Sequence, residues 1–193
     1  KSFLFVKYLF IMIHYHLTPL PVPHLFRVAL TMTVNESHLV LTLPNWTSGS
    51  YLIRDYAGRV RDLCVSQGTL TQLDKNRWAI TDLTPDSLLT VIWHVFAYSM
   101  GIHDAWLDDD RGFINPSALF IAPETGSSTP IQIEFDAPNY DIYTTLTNTK
   151  PHHFVASNYD ELLDAPFTLI KTDVPATLIE VACQGIPHQM IIS

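Results

Sequence analysis

Phe26 to Val34 reads FRVALTMTV. Phe26, Val28, Leu30, Met32 and Val34 alternate with Arg27, Ala29, Thr31 and Thr33. Successive side chains on a β-strand point to opposite faces, so this stretch sets five apolar side chains on one side of a pleat. The next stretch, HLVLTLP, alternates too, with Leu39, Leu41 and Leu43 on one side, Val40 and Thr42 on the other, and Pro44 as a stop. Between the two lies NES, Asn35 to Ser37, a turn, and the pair is expected to form a hairpin.

The same rhythm recurs along the chain. TLTQLDKNRWAI, from Thr69, reads as a second hairpin turning at Asp74 to Arg77. LLTVIWHVFAY, Leu88 to Tyr98, is almost continuously apolar and predicts a central strand buried on both faces. IQIEFDAP alternates again from Ile131, and TLIEVAC and HQMIIS read as further strands. Thirteen prolines and seven glycines punctuate these runs, as many short strands require. One stretch is helical: SNYDELLDAP offers Ser157 or Asn158 as N-cap, Asp160 or Glu161 three residues on, and Pro166 as terminator. No repeat or linker interrupts the pattern. The expectation is a mainly β fold, a single β-sandwich with one short helix over residues 12–193.

The ends carry their own expectations. KSFLFVKYLFIMI is apolar but broken by Lys7, too short to span a bilayer, and followed by His14, Tyr15 and His16 rather than a small-residue cleavage site. Residues 1–11 are therefore expected to be an extension ahead of a fold that starts at Met12. HQMIIS closes the chain in a strand without a polar tail, as a piece of a longer protein would.

Composition limits the function. With 47% apolar and 16% charged residues, the chain is core-rich rather than disordered. A net charge of −8 argues against nucleic acid and against anionic membranes, both of which select basic surfaces. Two cysteines, Cys64 and Cys183, read as unbridged, small, buried hydrophobes, which fits a reducing, cytoplasmic compartment.

Candidate chemistry is sparse. Of nine histidines, His14 and His16 would share a strand face, but a third ligand at useful spacing is missing, and His152 and His153 would point apart. No His-Glu-x-x-His occurs, and Ser48 to Ser50 is not a Gly-x-Ser-x-Gly elbow. In LDDDRGFIN, Asp108 and Asp110 fit the first and third positions of a calcium loop, but Gly112 comes one residue early and Leu119 stands where the bidentate glutamate belongs. Two readings are left: a solvated turn, or a loop that offers Asp108, Asp109, Asp110 and Asn115 to a binding cleft, with Gly112 permitting the tight turn.

LPNWTSGSYLIRDYAGRV, Leu43 to Val60, resembles the "lPxWtPGSYlIRdya" signature of the N-terminal domain of the glycyl aminopeptidase family of metallopeptidases. Three more pieces agree in order. MIHYHLTPLPVPHLFRVAL resembles the family's start, LDDDRGFINPSALFI its acidic loop and Asn-containing strand, and NYDELLDAP its "dYdeLlDsP". The chain departs at Ser48, where the family commonly has a proline that fixes φ before the Gly-Ser step.

The resemblance implies a larger enzyme: this β domain first, then a thermolysin-like zinc domain, often a PDZ-like domain. Zinc would sit in the catalytic domain, and none of its ligands can be carried over, so neither a catalytic nor a metal residue is assigned here. The implied partners are the catalytic domain of the same polypeptide and a peptide substrate. Trp46, Gly49, Ser50, Tyr51, Arg54 and Asp55 would build a packed loop at the seam with the zinc domain, and Tyr159, Asp160, Asp164 and Pro166 the second motif. The alternative is a stand-alone β-sandwich module that binds protein or carbohydrate on a platform of Trp46, Trp106 and Tyr140.

Overall fold

The computed structural model describes residues 12–125 and 128–192, so the expected extension 1–11 lies outside the described residues. The chain runs through β1 (Ile13–Leu20), β2 (Leu25–Val34), β3 (Leu39–Thr42), β4 (Val60–Val65), β5 (Thr69–Gln72) and β6 (Arg77–Thr81). It continues through β7 (Ser87–Phe96), β8 (Ala105–Leu107), β9 (Arg111–Ile114), β10 (Ala122–Pro123), β11 (Ile131–Phe135) and β12 (Tyr140–Tyr143). Then come β13 (Thr147–Lys150), β14 (His153–Ala156), α1 (Tyr159–Leu163), β15 (Phe167–Lys171), β16 (Thr177–Cys183) and β17 (Ile186–Ile192).

Seven strands form the large sheet, in the order β13-β14-β11-β1-β2-β7-β4. The layer opposite is divided between two four-stranded sheets, β10-β3-β6-β5 and β12-β15-β9-β8. All three feed one core: Phe26, Val28 and Trp93 from the large sheet, Leu41 and Ile80 from one small sheet, Leu107 and Phe167 from the other. The fold is thus the mainly β sandwich with one short helix that the alternation predicts.

The five apolar residues of β2 are all buried, and Arg27, Ala29, Thr31 and Thr33 on the other face are not. β7 departs from its reading. Leu89, Val91, Trp93 and Val95 are buried, but Ile92 and His94 are only half-buried and Phe96 is exposed. β7 lies between antiparallel neighbours, an arrangement that leaves one face to solvent.

The expected β2–β3 hairpin does not form. Both edges of β2 are taken, by β1 and by β7, while β3 pairs with β6 and β10. Asn35 to Ser37 instead carries the chain from one sheet to the other. Bonds from Leu83 N–H to the Ser37 carbonyl (3.0 Å) and from Asp86 N–H to the Val34 carbonyl (2.7 Å) tie this crossing to the return crossing between β6 and β7. The second hairpin, β5 with β6, forms as read.

α1 is capped from both directions. The Asn158 side chain accepts from Glu161 N–H (2.9 Å), and the Glu161 carboxylate accepts from Ser157 N–H (2.6 Å). The Ser157 hydroxyl also donates to this carboxylate (2.5 Å), and together with the Ser157 N–H it holds the Glu161 carboxyl below the usual carboxylate range.

Inside the sandwich runs a segment that belongs to no sheet. β9 stops at Ile114, and Asn115 caps a short 3-10 turn, Pro116–Ala118, by accepting from Ser117 N–H. Leu119, Phe120 and Ile121 follow, fully buried. All three carbonyls receive side-chain donors: Leu119 from Trp93 Nε1–H (3.1 Å), Phe120 from the Tyr159 hydroxyl (2.6 Å) and Ile121 from the Tyr15 hydroxyl (2.8 Å). Burial pushes the Tyr15 and Tyr159 phenols up, so both stay neutral donors.

Removing one donor strands a buried carbonyl. Tyr15→Phe and Tyr159→Phe should each lower stability by about 1–3 kcal/mol in urea denaturation of this chain. A change under about 0.5 kcal/mol in both, the size of an ordinary surface substitution, would mean that these bonds do not support the segment.

Candidate interface around the Trp46 loop

The Leu43–Val60 stretch is a closed loop followed by a 3-10 turn, Tyr56–Arg59. Leu43 is buried and anchored to Asn76 by two bonds, its N–H to the Asn76 carbonyl (3.0 Å) and its carbonyl to the Asn76 side-chain amide (2.8 Å). The Thr47 carbonyl accepts from Ser50 N–H (3.1 Å), and Gly49 between them has φ +78°. That is a type II turn with Ser48 at its second position, where proline is favoured. The family proline and the Ser48 departure thus have a common geometric basis.

The loop binds itself together from within. Trp46 Nε1–H donates to the Ser50 carbonyl (2.7 Å), the Ser50 hydroxyl accepts from Leu52 N–H (3.2 Å) and from Arg54 Nη2 (3.4 Å), and Arg54 N–H closes on the Asn45 carbonyl (2.6 Å). Thr47 and Ser50, both polar, are buried. Tyr51, Leu52 and Ile53 stand outside, at 103%, 62% and 82% exposure, and Trp46 is half out. Asp55 reaches Lys75 at 2.7 Å, and that bond holds its carboxyl below the usual range.

A second apolar segment adjoins the loop. Arg59 pairs with Asp104 at 2.7 Å, and Asp104 also takes the Ser99 hydroxyl (2.8 Å). This fixes the stretch from Tyr98 to Asp104, where Tyr98, Met100 and Ile102 are exposed. Met100, Ile102, Trp106 and Phe113 line a shallow hollow of about 240 Å³. Beneath this face Arg54 Nε and the Tyr56 hydroxyl are buried without a hydrogen-bond partner among the described residues. Residues 98–102 were missed in the sequence; their one signal is that SMG breaks the strand alternation between apolar neighbours.

The acidic residues fall into two places. Asp108 builds the tight turn between β8 and β9, its side chain accepting from Asp110 N–H (2.9 Å) and Arg111 N–H (2.7 Å). Asp109 and Asp110 project into solvent. Asn115 lies at the far end of β9, roughly 10 Å away at strand spacing, where its amide donates to the Ile102 carbonyl (3.1 Å). Gly112 is not in the turn. It sits in β9 opposite Leu107 and Leu169, and a Cβ there would come within 3.0 Å of the Leu107 side chain. Close sheet packing, not turn geometry, is what requires this glycine.

Other candidates resolve plainly. Tyr140 is only 6% exposed, with its hydroxyl on the Asp109 carbonyl (3.4 Å), so it cannot join an exposed platform with Trp46 and Trp106. Of the second motif, Tyr159 supports the buried segment, while Asp160, Asp164 and Pro166 lie exposed on or just beyond α1. Cys64 and Cys183 are free and exposed rather than buried, since both occupy strand faces that nothing covers. His14 and His153 each approach Glu134 at 3.4 Å, but among the described residues no set of three or more His, Cys, Asp or Glu is placed to hold a metal. No helix among the described residues is long and apolar enough to cross a membrane.

Residues 14–170 match the peptidase M61 N-terminal domain. The chain belongs to that family. This M61 N-terminal domain also matches a crystal structure of an aminopeptidase N family protein from Idiomarina loihiensis, with 32% identity and a TM-score of 0.84. That match covers 93% of this chain and 32% of the other, so the chain spans about a third of its neighbour's length. Legionella pneumophila aminopeptidase A, solved with aspartic acid, is 11% identical with a TM-score of 0.50 over 94% of this chain and 23% of that one, a likeness of fold alone. No curated protein matches the chain.

The turn geometry is testable within the M61 domain. Ser48→Pro should stabilise it by about 0.4–1 kcal/mol, because proline pre-sets the φ of that turn position. Gly49→Ala meets no atom within 4 Å but inherits the left-handed φ, and should cost about 1–2 kcal/mol. Thermal melts of the two variants decide it: if Ser48→Pro destabilises, the turn is not type II.

Proposed function

We propose that this chain is the noncatalytic N-terminal domain of a zinc-dependent aminopeptidase of the glycyl aminopeptidase type, and that the face of the Trp46 loop is its seam with the catalytic domain. One observation carries the reading: a loop held rigid by internal polar bonds keeps Tyr51, Leu52 and Ile53 in solvent. An apolar patch of this kind has a free-energy reason to exist only if something covers it. The partnerless Arg54 Nε and Tyr56 hydroxyl beneath it fit the same explanation. In the parent enzyme, zinc and the general base belong to the catalytic domain, with a PDZ-like domain further on. Two unbridged cysteines fit a cytoplasmic setting.

Asp109 and Asp110 then rim the peptide-binding cleft, one hairpin length from the seam. A free carboxylate there would receive the substrate's protonated α-amino group through a charge-assisted hydrogen bond. Asp108 shapes their turn, and Asn115 braces the seam from below through the Ile102 carbonyl.

Two measurements on the parent enzyme separate these roles. Tyr51→Ser with Ile53→Ser should split its thermal unfolding into two transitions, while changing the stability of the present chain by no more than about 0.5 kcal/mol, as exposed positions do. A single unshifted transition would remove the seam. Asp109→Asn or Asp110→Asn should lower kcat/KM for free peptides, relative to N-acetylated ones, by the equivalent of about 1.5–3 kcal/mol. Unchanged kinetics in both would leave the turn as surface.

A further inference from the structure

β16 and β17 form a hairpin that pairs with no other strand among the described residues. Its turn is Gln184-Gly185, both at positive φ (52° and 79°), a type I′ turn. The register sets Ile179 opposite Met190, Val181 opposite His188 and Cys183 opposite Ile186. Strand alternation therefore collects Ile179, Val181, Cys183, Ile186, Met190 and Ile192 on one face, together with Thr177 and His188. The other face is mixed, with Glu180 accepting from the Gln189 amide across the strands (2.8 Å). All residues of the hairpin except Ile191 are exposed.

A two-stranded hairpin alone is marginal in water, and one that is wet on both faces gains nothing from its apolar side. The match to the M61 N-terminal domain ends at residue 170, seven residues before the hairpin begins, and the Idiomarina neighbour is about three times as long as this chain. The hairpin thus has the sequence of a core element but lies beyond the domain whose core could take it.

We propose that the Thr177–Ile192 hairpin is a docking arm whose apolar face is covered by the downstream catalytic domain of the same polypeptide. The two edges of the arm are not equivalent. In a two-residue hairpin the pair flanking the turn, Cys183 and Ile186, faces inward for hydrogen bonding, so the next pair, Ala182 and Pro187, turns its outer groups to the open edges. Pro187 has no N–H, so the β17 edge lacks a donor there. The β16 edge keeps the outward N–H groups of Leu178, Glu180 and Ala182, and β16 is the edge that accepts a strand of the catalytic domain. This inference rests on the reading of the chain as a peptidase's N-terminal domain.

Hydrogen exchange compared between this chain and the full-length parent tests it. In this chain the hairpin amides should exchange almost unprotected. In the parent they should slow by roughly a hundredfold, with Leu178, Glu180 and Ala182 among the protected ones. Val181→Asp with Met190→Asp should abolish that protection, whereas Gln189→Lys on the opposite face should keep it. If the hairpin stays unprotected in the parent while Tyr51 to Ile53 become protected, the arm is refuted and the seam stands. If neither region gains protection, the domain reading itself fails. Protection that rises with concentration in the present chain would assign the face to a second copy and overturn the proposal.

Discussion

Three consecutive residues, Leu119 to Ile121, cross the inside of this protein in irregular backbone. A buried carbonyl without a donor costs more than most single packing contacts supply, so this segment is tolerable only because Trp93, Tyr15 and Tyr159 bring their polar tips to it. Each comes from a different element: β7, next to the β4 edge of the large sheet, β1 at the middle of that sheet, and the helix α1. The same rings supply the packing, with Tyr15 edge-on to Phe120 at 4.9 Å. The helix is placed where it is because its first residue must reach the Phe120 carbonyl. Its short length matters little, since its capping and its buried Leu162 hold it there.

The surface reverses the usual order of polarity in one place. In the Trp46 loop the polar groups are folded in and the apolar ones face out. The inner bonds fix the backbone of Asn45 to Arg54 before any partner arrives, so covering Tyr51, Leu52 and Ile53 orders little more chain. The Arg59–Asp104 pair does the same for the Met100 and Ile102 segment. Asn115 links outside to inside: one end of its amide caps the turn into the buried segment, and the other holds the Ile102 carbonyl under the exposed face. One side chain therefore ties the exposed face to the buried segment.

Much of this was legible in the chain. The β2 alternation, the β5–β6 turn and the cap of α1 depend on residues a few positions apart, and they stand where the sequence places them. What was illegible depends on distance. Asn35 to Ser37 has hairpin chemistry, but nothing local says that β1 and β7 already occupy both edges of β2. Gly112 has the composition of a turn glycine, and only Leu107 and Leu169 on neighbouring strands reveal that it is a packing glycine. β7 is apolar enough for two buried faces, but only one layer was built against it.

The sequence by itself determined the β class, the helix and its cap, the family through the Trp46 motif, and the lack of a His-Glu-x-x-His in these residues, because each is written in side-chain period or in short spacing. Tertiary structure decided which strands pair, which carbonyls the tyrosines and the tryptophan satisfy, and which apolar residues stay wet. Those outcomes turn on contacts between residues as far apart as Tyr15 and Ile121, 106 positions along the chain, and no local pattern encodes a partner at that separation.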